Sequence, residues 1–241
     1  MHNPLEQFLI KPIIKLDFFG YDISFTNSSL CMAIVSFSLC VFMIFVAKYL
    51  KVVPSKTQAF FESLHGLIVN MIRDNVGEAG IKFFPIIFSI FLFVLFANLL
   101  GMLPYSFTVT SHIAVTFALA IFLFSMITIT GFAMHGRHFL KLFLPDGIPL
   151  WLAPLIIVIE ICAYITKPFS LALRLAANMT AGHILLKVMA SFAVSMWAIF
   201  KLAPIVVVTM LIGFEFCIAL LQSYIFAILT CVYLNDAVNL H

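Results

Sequence analysis

Charge is scarce in this chain. Of 241 residues, 13 are Lys or Arg and 10 are Asp or Glu, a tenth of the whole, where a soluble domain carries about a quarter. The chain is 64% hydrophobic with a mean hydropathy of +1.18, so it cannot bury its own apolar surface in water. A soluble enzyme, a nucleic-acid binder and a secreted disulfide scaffold are excluded at once. The net charge of +3 is too small to call for a polyanionic partner. Cysteine is sparse too: Cys31, Cys40, Cys162, Cys217 and Cys231 lie inside apolar runs and form no CxxC pair, so neither a disulfide nor a metal site is expected. No GxxxxGK phosphate loop occurs, so the chain is expected neither to bind nor to hydrolyse a nucleotide, and no cofactor is implied. Around His2, Pro4 and Glu6 there is no short apolar stretch ahead of a small-residue cleavage site, and a cleaved signal peptide is not expected.

What is present is a series of apolar runs. A transmembrane helix needs roughly 20 apolar residues to cross about 30 Å of hydrocarbon. The stretch between Asp22 and Lys48 carries no charge and accommodates one span, 27–47, starting at the capping cluster Asn27-Ser28-Ser29. The stretch from Lys82 to Arg137 is also uncharged and too long for one helix. Gly101, Pro104 and the polar run Thr108-Val109-Thr110-Ser111-His112 interrupt it, which predicts spans 83–103 and 113–134. Between these regions Phe60, Leu64, Leu67, Ile68 and Met71 recur at helical spacing, with Gln58, Glu62 and His65 largely elsewhere on the wheel. This predicts an amphipathic surface helix over 56–72, or else a helix docked on a partner.

Basic residues in short loops set orientation. The 48–82 connection carries Lys48, Lys51, Lys56, Arg73 and Lys82, the 135–146 connection carries Arg137 and Lys141, and the 104–112 turn carries neither residue type. Both basic loops then face the cytoplasm or its organelle equivalent, with the N-terminal segment 1–26 on the outer side. The expected architecture is all-α and polytopic, a single membrane domain of about five embedded helices plus the surface helix. Two further embedded helices, 149–190 and 202–235, return the C-terminus to the basic side.

That last third carries charge where charge is costly. Glu160, Lys167, Arg174, Lys187, Lys201 and Glu215 interrupt an otherwise apolar sequence, and an ionisable group at the bilayer centre costs about 2.5–3.5 kcal/mol on insertion scales. Glu160, Lys167 and Arg174 are seven apart and share one helical stripe. Asn178 adds a neutral polar group one turn past Arg174, and Glu215 and Gln222 are again seven apart. A continuous helix here would be nearly twice as long as a membrane is thick. Either Pro168 breaks it or the helix is steeply tilted, and a tilted hairpin turning near Ser191–Lys201 is the preferred reading. Lys187 and Lys201 flank that turn and fit interface anchors. Lys167 fits an interface equally well, Glu160 and Glu215 could pair with Lys167 or another base, and His183 could be a satisfied core histidine. Arg174 is different, because no acid lies three or four residues from it.

An arginine stays protonated at any accessible pH. It attracts a carboxylate on a partner helix, favours that group's ionised form, and opposes a proton passing straight by. Carboxylates and a histidine can take up and hand on protons. A fixed positive barrier flanked by titratable groups suits a proton path with two separated halves.

The segments PFSLALRLAANMTAGHILL (168–186), GFEFCIALLQSYIFAILTCVYLNDAVNLH (213–241), LAPLIIVIE (152–160), NPLEQF (3–8) and NLLGMLPYSFTVTSH (98–112) resemble the F-type ATP synthase subunit a family, stator components of the Fo motor. The run R-L-x-A-N-M-x-A-G-H carries the most specific part of the resemblance. It implies that Arg174 faces the ion-binding carboxylate of the c-ring, with Asn178 and Gln222 as polar positions beside it. It further implies that His183 and Glu215 form the titratable pair of the entry half-channel and that Glu160 serves the opposite half-channel. The implied function is proton translocation coupled to c-ring rotation and ATP synthesis, with no active site of the chain's own. The implied partners are the c-ring, subunit b or a peripheral stalk, and the lipid bilayer.

The rival reading is a proton-coupled secondary transporter or channel, which also places charges near the midplane. It would usually show internal repeats or paired broken helices, and none is found. A haem-bearing subunit would need paired intramembrane histidines, whereas only His183 lies deep in a C-terminal span. The expected location is the bacterial plasma membrane, with the mitochondrial inner membrane as the alternative and the C-terminus on the cytoplasmic or matrix side.

Overall fold

Apolar length dictates the architecture. The computed structural model describes residues 12–15, 17–18, 21–22, 24–48, 51, 53–103, 108–143, 152–195 and 202–239. Six α-helices follow one another: α1 (Asn27–Lys48), α2 (Lys56–Val76), α3 (Phe84–Gly101), α4 (Ile113–His135), α5 (Ala153–Ser195) and α6 (Leu202–Val238). Five helical stretches are long and apolar enough to cross a membrane: Asn27–Val46, Glu78–Gly101, Ile113–Leu140, Ala153–Phe192 and Pro204–Val238. The chain is an all-α polytopic membrane protein. The segments 3–8, 104–107, 149–151 and 196–201, which include Lys201 and most of the expected interhelical turn, lie outside the described residues.

A small β-ribbon precedes the helices. Strand β1 (Pro12–Ile14) pairs antiparallel with β4 (Phe25–Thr26), enclosing the pair β2 (Asp17–Phe18) and β3 (Tyr21–Asp22). Helix α1 begins where expected, but its cap is Thr26, one residue earlier than the predicted cluster: its Oγ1 accepts from the Ser29 N–H at 3.3 Å. That satisfies one of the donors a helix start leaves open.

Helix α5 is 43 residues long and continues past Pro168 without a break in the helix. At 1.5 Å per residue it extends about 65 Å, and the 37-residue α6 about 55 Å. Pro168 removes one backbone donor, yet the flanking turns persist. Both helices keep large apolar side chains outward, such as Leu155 and Val158 on α5 and Met210, Phe214 and Leu221 on α6. On α1, Phe37 is 71% exposed. Side chains of this kind exposed along whole helices match lipid, not water.

The chain forms two compact units: residues 1–49, 92–113 and 175–224, and residues 50–91, 114–174 and 225–241. In the first, Val94, Asn98, Leu175, Met179 and Ala219 are fully buried. The second buries Ile68, Ile72, Ile87, Leu123, Phe139, Phe226 and Leu234. There, glycine permits close approach: a Cβ on Gly131 would strike the ring of Phe139, which lies buried against α4. Lipid is as apolar as Leu, so close packing and hydrogen bonds must hold these helices together.

Helix α2 buries Ile68, Met71, Ile72 and Val76, together with Gln58 in its first turn, while Phe60 and Leu67 of the predicted stripe are exposed. The covered face is therefore rotated and shifted toward the C-terminal end. The rings of Phe61 and His65 meet Phe88 and Phe84 of α3. The helix stops at Gly77, whose φ of 85° only glycine adopts without strain. Its last carbonyl, Val76, accepts from Asn239 Nδ2 at 3.0 Å, and His135, the last residue of α4, lies 2.9 Å from the Val238 carbonyl at the end of α6. Three helix C-termini thus meet in one unit, where carbonyls without helical donors find side-chain partners.

Candidate functional site

Each position on α5 follows from helical geometry. Leu171, Ala172, Leu175, Ala176, Met179 and His183 are buried, whereas Leu173, Arg174, Ala177, Asn178 and Ala181 are exposed. The nine residues from Arg174 to His183 make two and a half turns, so the cation and the imidazole point to opposite sides.

Among the described residues of its own unit, no carboxylate lies within ion-pairing distance of Arg174. Glu160 is half-buried on the same helix and makes no ion pair among the described residues of that unit. The base between them, Lys167, is taken instead by Asp236 of α6 at 2.7 Å. Its Nζ lies 5.5 Å from the Tyr164 ring centroid and 5.2 Å from that of Tyr233, within the range of cation–π attraction. Tyr164 in turn hydrogen-bonds Thr128 of α4 at 2.8 Å. Lys167 is thus neutralised locally by Asp236, not by Glu160. Asp236 was missed in the sequence because it sits beyond the apolar run, where a charge attracts no notice.

The other polar groups come together in the first unit. His183 Nδ1 is 3.5 Å from Glu215 Oε1, their side chains 9% and 6% exposed. On the other edge of the imidazole, Nε2 is 3.1 Å from Thr108 Oγ1. Asn178 Nδ2 donates to Gln222 Oε1 at 2.9 Å, an interhelical bond between α5 and α6. Asn98 of α3 donates to the Ala219 carbonyl of α6 at 3.4 Å. Gly182 matters here because a Cβ on it would come within 2.8 Å of Glu215 Oε1. Any larger residue would push the carboxyl away from His183.

Several of these buried polar atoms lack a hydrogen-bond partner among the described residues: Glu215 Oε1, Gln222 Nε2, Asn98 Oδ1 and Thr110 Oγ1. Each would cost about 1–3 kcal/mol if left dry and unmet, so their concentration in one unit marks a place that polar, exchangeable species can occupy. Thr108, Asn98 and Gly182 stand in segments that carry the family resemblance, but none has a titratable group and no spacing marks them as site residues. Among the described residues no three of His, Cys, Asp and Glu gather as metal ligands.

The arrangement therefore holds one exposed guanidinium without a carboxylate in its unit, one buried acid–imidazole pair and a stripe acid. A family model described as ATP synthase A chain matches residues 29–235, a range that takes in all six predicted site residues. The chain belongs to that family, the membrane-embedded subunit a of the F-type ATP synthase, which acts in ion transport and ATP synthesis together with other Fo subunits such as the c-ring.

Proposed function

We propose that this chain provides two proton half-channels to and from the c-ring and couples proton passage to rotation. A proton enters through Glu215 and His183 and neutralises a c-ring carboxylate, which then turns into lipid. The next carboxylate arrives at Arg174, whose fixed charge favours its ionised form, and the released proton leaves past Glu160. Asn178, one turn past Arg174 on α5, is bonded to Gln222 of α6. The driving force, about 2.3 kcal/mol per charge per 100 mV, suffices to bias each step.

The observation that carries this reading is the exposed Arg174 without a carboxylate partner in its unit. A lone cation in an apolar setting needs an anion from outside. Its surroundings suit an approaching helix: Ser170, Ala177 and Ala181 recur beside it at helical spacing and are exposed, and small residues let backbones come close. The long α5 and α6 lie tilted, so that this stripe meets the rotor over several turns.

The basic loops face the cytoplasm of a bacterium. The C-terminus shares their side, a reading supported by the meeting of α2, α4 and α6 at their C-terminal ends. Helix α2 lies on the membrane surface, and subunit b or a peripheral stalk braces the chain against rotation.

Reconstitution tests the reading. Purified chain in vesicles with an imposed proton gradient should move neither protons nor solute until rotor and stalk subunits are added. Sustained transport by the chain alone would favour a transporter and sink the stator assignment.

A further inference from the structure

His183 is approached from two sides, and the side away from Glu215 decides what the pair can do. Helix α3 ends at Gly101, and the carbonyls of its last turn at Asn98, Leu99 and Leu100 accept from the N–H groups of Met102 and Leu103. Thr108 Oγ1 donates to the Gly101 carbonyl at 3.3 Å and lies 3.1 Å from His183 Nε2. A hydroxyl has one proton to give. With that proton directed at a carbonyl, which can only accept, Oγ1 is left as an acceptor toward the ring. Nε2 must then carry a hydrogen.

We infer that Thr108 is a positioning residue that holds the neutral His183 ring in its Nε2–H form. This leaves Nδ1 bare and facing Glu215, so that the pair shares one transferable proton. The inference rests on the relay reading above for its purpose, though not for its geometry. A neutral imidazole carries one ring hydrogen, and the hydrogen bond at one nitrogen dictates the state of the other. Transfer is then a single exchange: the Oε1–H bond of Glu215 breaks, the Nδ1–H bond of His183 forms, and carboxylic acid plus imidazole become carboxylate plus imidazolium. The opposite ring form would already hold a hydrogen at Nδ1 and could not take one from Glu215. The present 3.5 Å separation needs to shorten by about half an ångström to reach hydrogen-bond length.

The hydroxyl is held by contacts that do not involve the histidine. Ser111 Oγ donates to the Thr108 carbonyl at 2.7 Å, and Thr180 Oγ1, on α5 just before His183, donates to the Ser111 carbonyl at 3.2 Å. A Cβ on Gly101 would approach Thr108 Cγ2 to 2.8 Å, so the glycine is what lets the threonine sit at the helix end. The neighbouring elements bring few competing charges. Glu215 is the acid that α6 presents, and Lys187 follows one turn along α5. Burial lowers the pKa of His112 at the end of the loop and favours its neutral form. The described part of α3 in this unit is uncharged, and α1, which packs on the 109–111 turn, has no acid and only Lys48 as a base.

The test uses the assembled complex with 15N-labelled histidine, comparing wild type with Thr108→Val, which keeps shape and loses the hydroxyl, and Thr108→Ser, which keeps the hydroxyl. The His183 signal, assigned by its loss in His183→Gln, should report an Nε2–H neutral ring in wild type and Thr108→Ser. An Nδ1–H population should appear in Thr108→Val. ATP-driven proton pumping should fall about tenfold or more in Thr108→Val and stay within about twofold of wild type in Thr108→Ser. An Nε2–H ring persisting in Thr108→Val, or an Nδ1–H ring in wild type, would overturn the inference. Normal pumping in Glu215→Gln would instead bring down the relay reading, and the ring signals would still decide the tautomer.

Discussion

Vesicles carrying the Arg174→Ala complex will show no ATP-driven proton pumping, although the complex is present in the membrane in near-normal amount. The two halves of this result have separate causes. Arg174 is exposed on α5 and paired with no carboxylate among the described residues of its own unit, so its loss breaks no ion pair there and leaves the buried face of Leu171, Leu175 and Met179 untouched. Most surface substitutions of that kind change stability by less than about 0.5 kcal/mol. Transport fails because the rotor acid loses the cation that stabilises its ionised form, so the proton is not released at the required point. The uncoupled passage that a fixed positive charge opposes also opens. Immunoblots and pumping measured on the same membranes check both halves, and pumping at the wild-type rate would remove Arg174 from the mechanism.

Glu215→Gln should lower pumping and ATP synthesis by about 10², again with normal assembly. Glutamine has nearly the same volume, so the buried site between α5 and α6 keeps its packing, and the amide can still approach His183. It cannot accept and release a proton in this range of pH. His183 would then receive protons only by slower routes. The effect should appear at every pH at which the wild type is active, because the acid is a required station and not a modifier of rate. Rates equal to wild type across pH would contradict the relay. Glu215 Oε1 has no hydrogen-bond partner among the described residues and meets His183 Nδ1 at 3.5 Å, a contact that the glutamine amide can keep. That separates a transport effect from a folding effect.

Hydropathy made the membrane helices legible, because a bilayer requires unbroken apolar runs and polar breaks between them. Details that depend on partners were less so. The ribbon of β1 to β4 has no clear alternating pattern in strands of two or three residues, and the cap of α1 comes from Thr26 instead of the more obvious Asn27. The stripe on α2 was read as Phe60, Leu64, Leu67, Ile68 and Met71, whereas the buried face runs on through Ile72 to Val76. Periodicity tells which residues share a face, not which face a neighbour covers.

The same limit governs the site. Cost of burial and seven-residue spacing singled out Glu160, Lys167 and Arg174, which share a helix. The link from His183 to Glu215 came from family resemblance, since no spacing rule connects residues on separate helices. Thr108 is 75 residues from His183 and Asp236 is 69 from Lys167, and nothing local marks either. Lys167 and Arg174 share one stripe in the sequence, and in the structure the Asp236 carboxylate pairs with Lys167.

A disulfide scan along the exposed stripe of α5 tests the central claim most directly. Ala177→Cys lies beside Arg174 and is small and exposed, and a disulfide forms only when the Cα atoms come within about 4.4–6.8 Å. Paired with a cysteine one turn from the mid-membrane acid of a rotor helix, it should crosslink and stop rotation, while Val158→Cys on the lipid-exposed side should not. Crosslinking at Val158 with none at Ala177 would place the rotor elsewhere and leave the guanidinium of Arg174 without the acids it is proposed to meet.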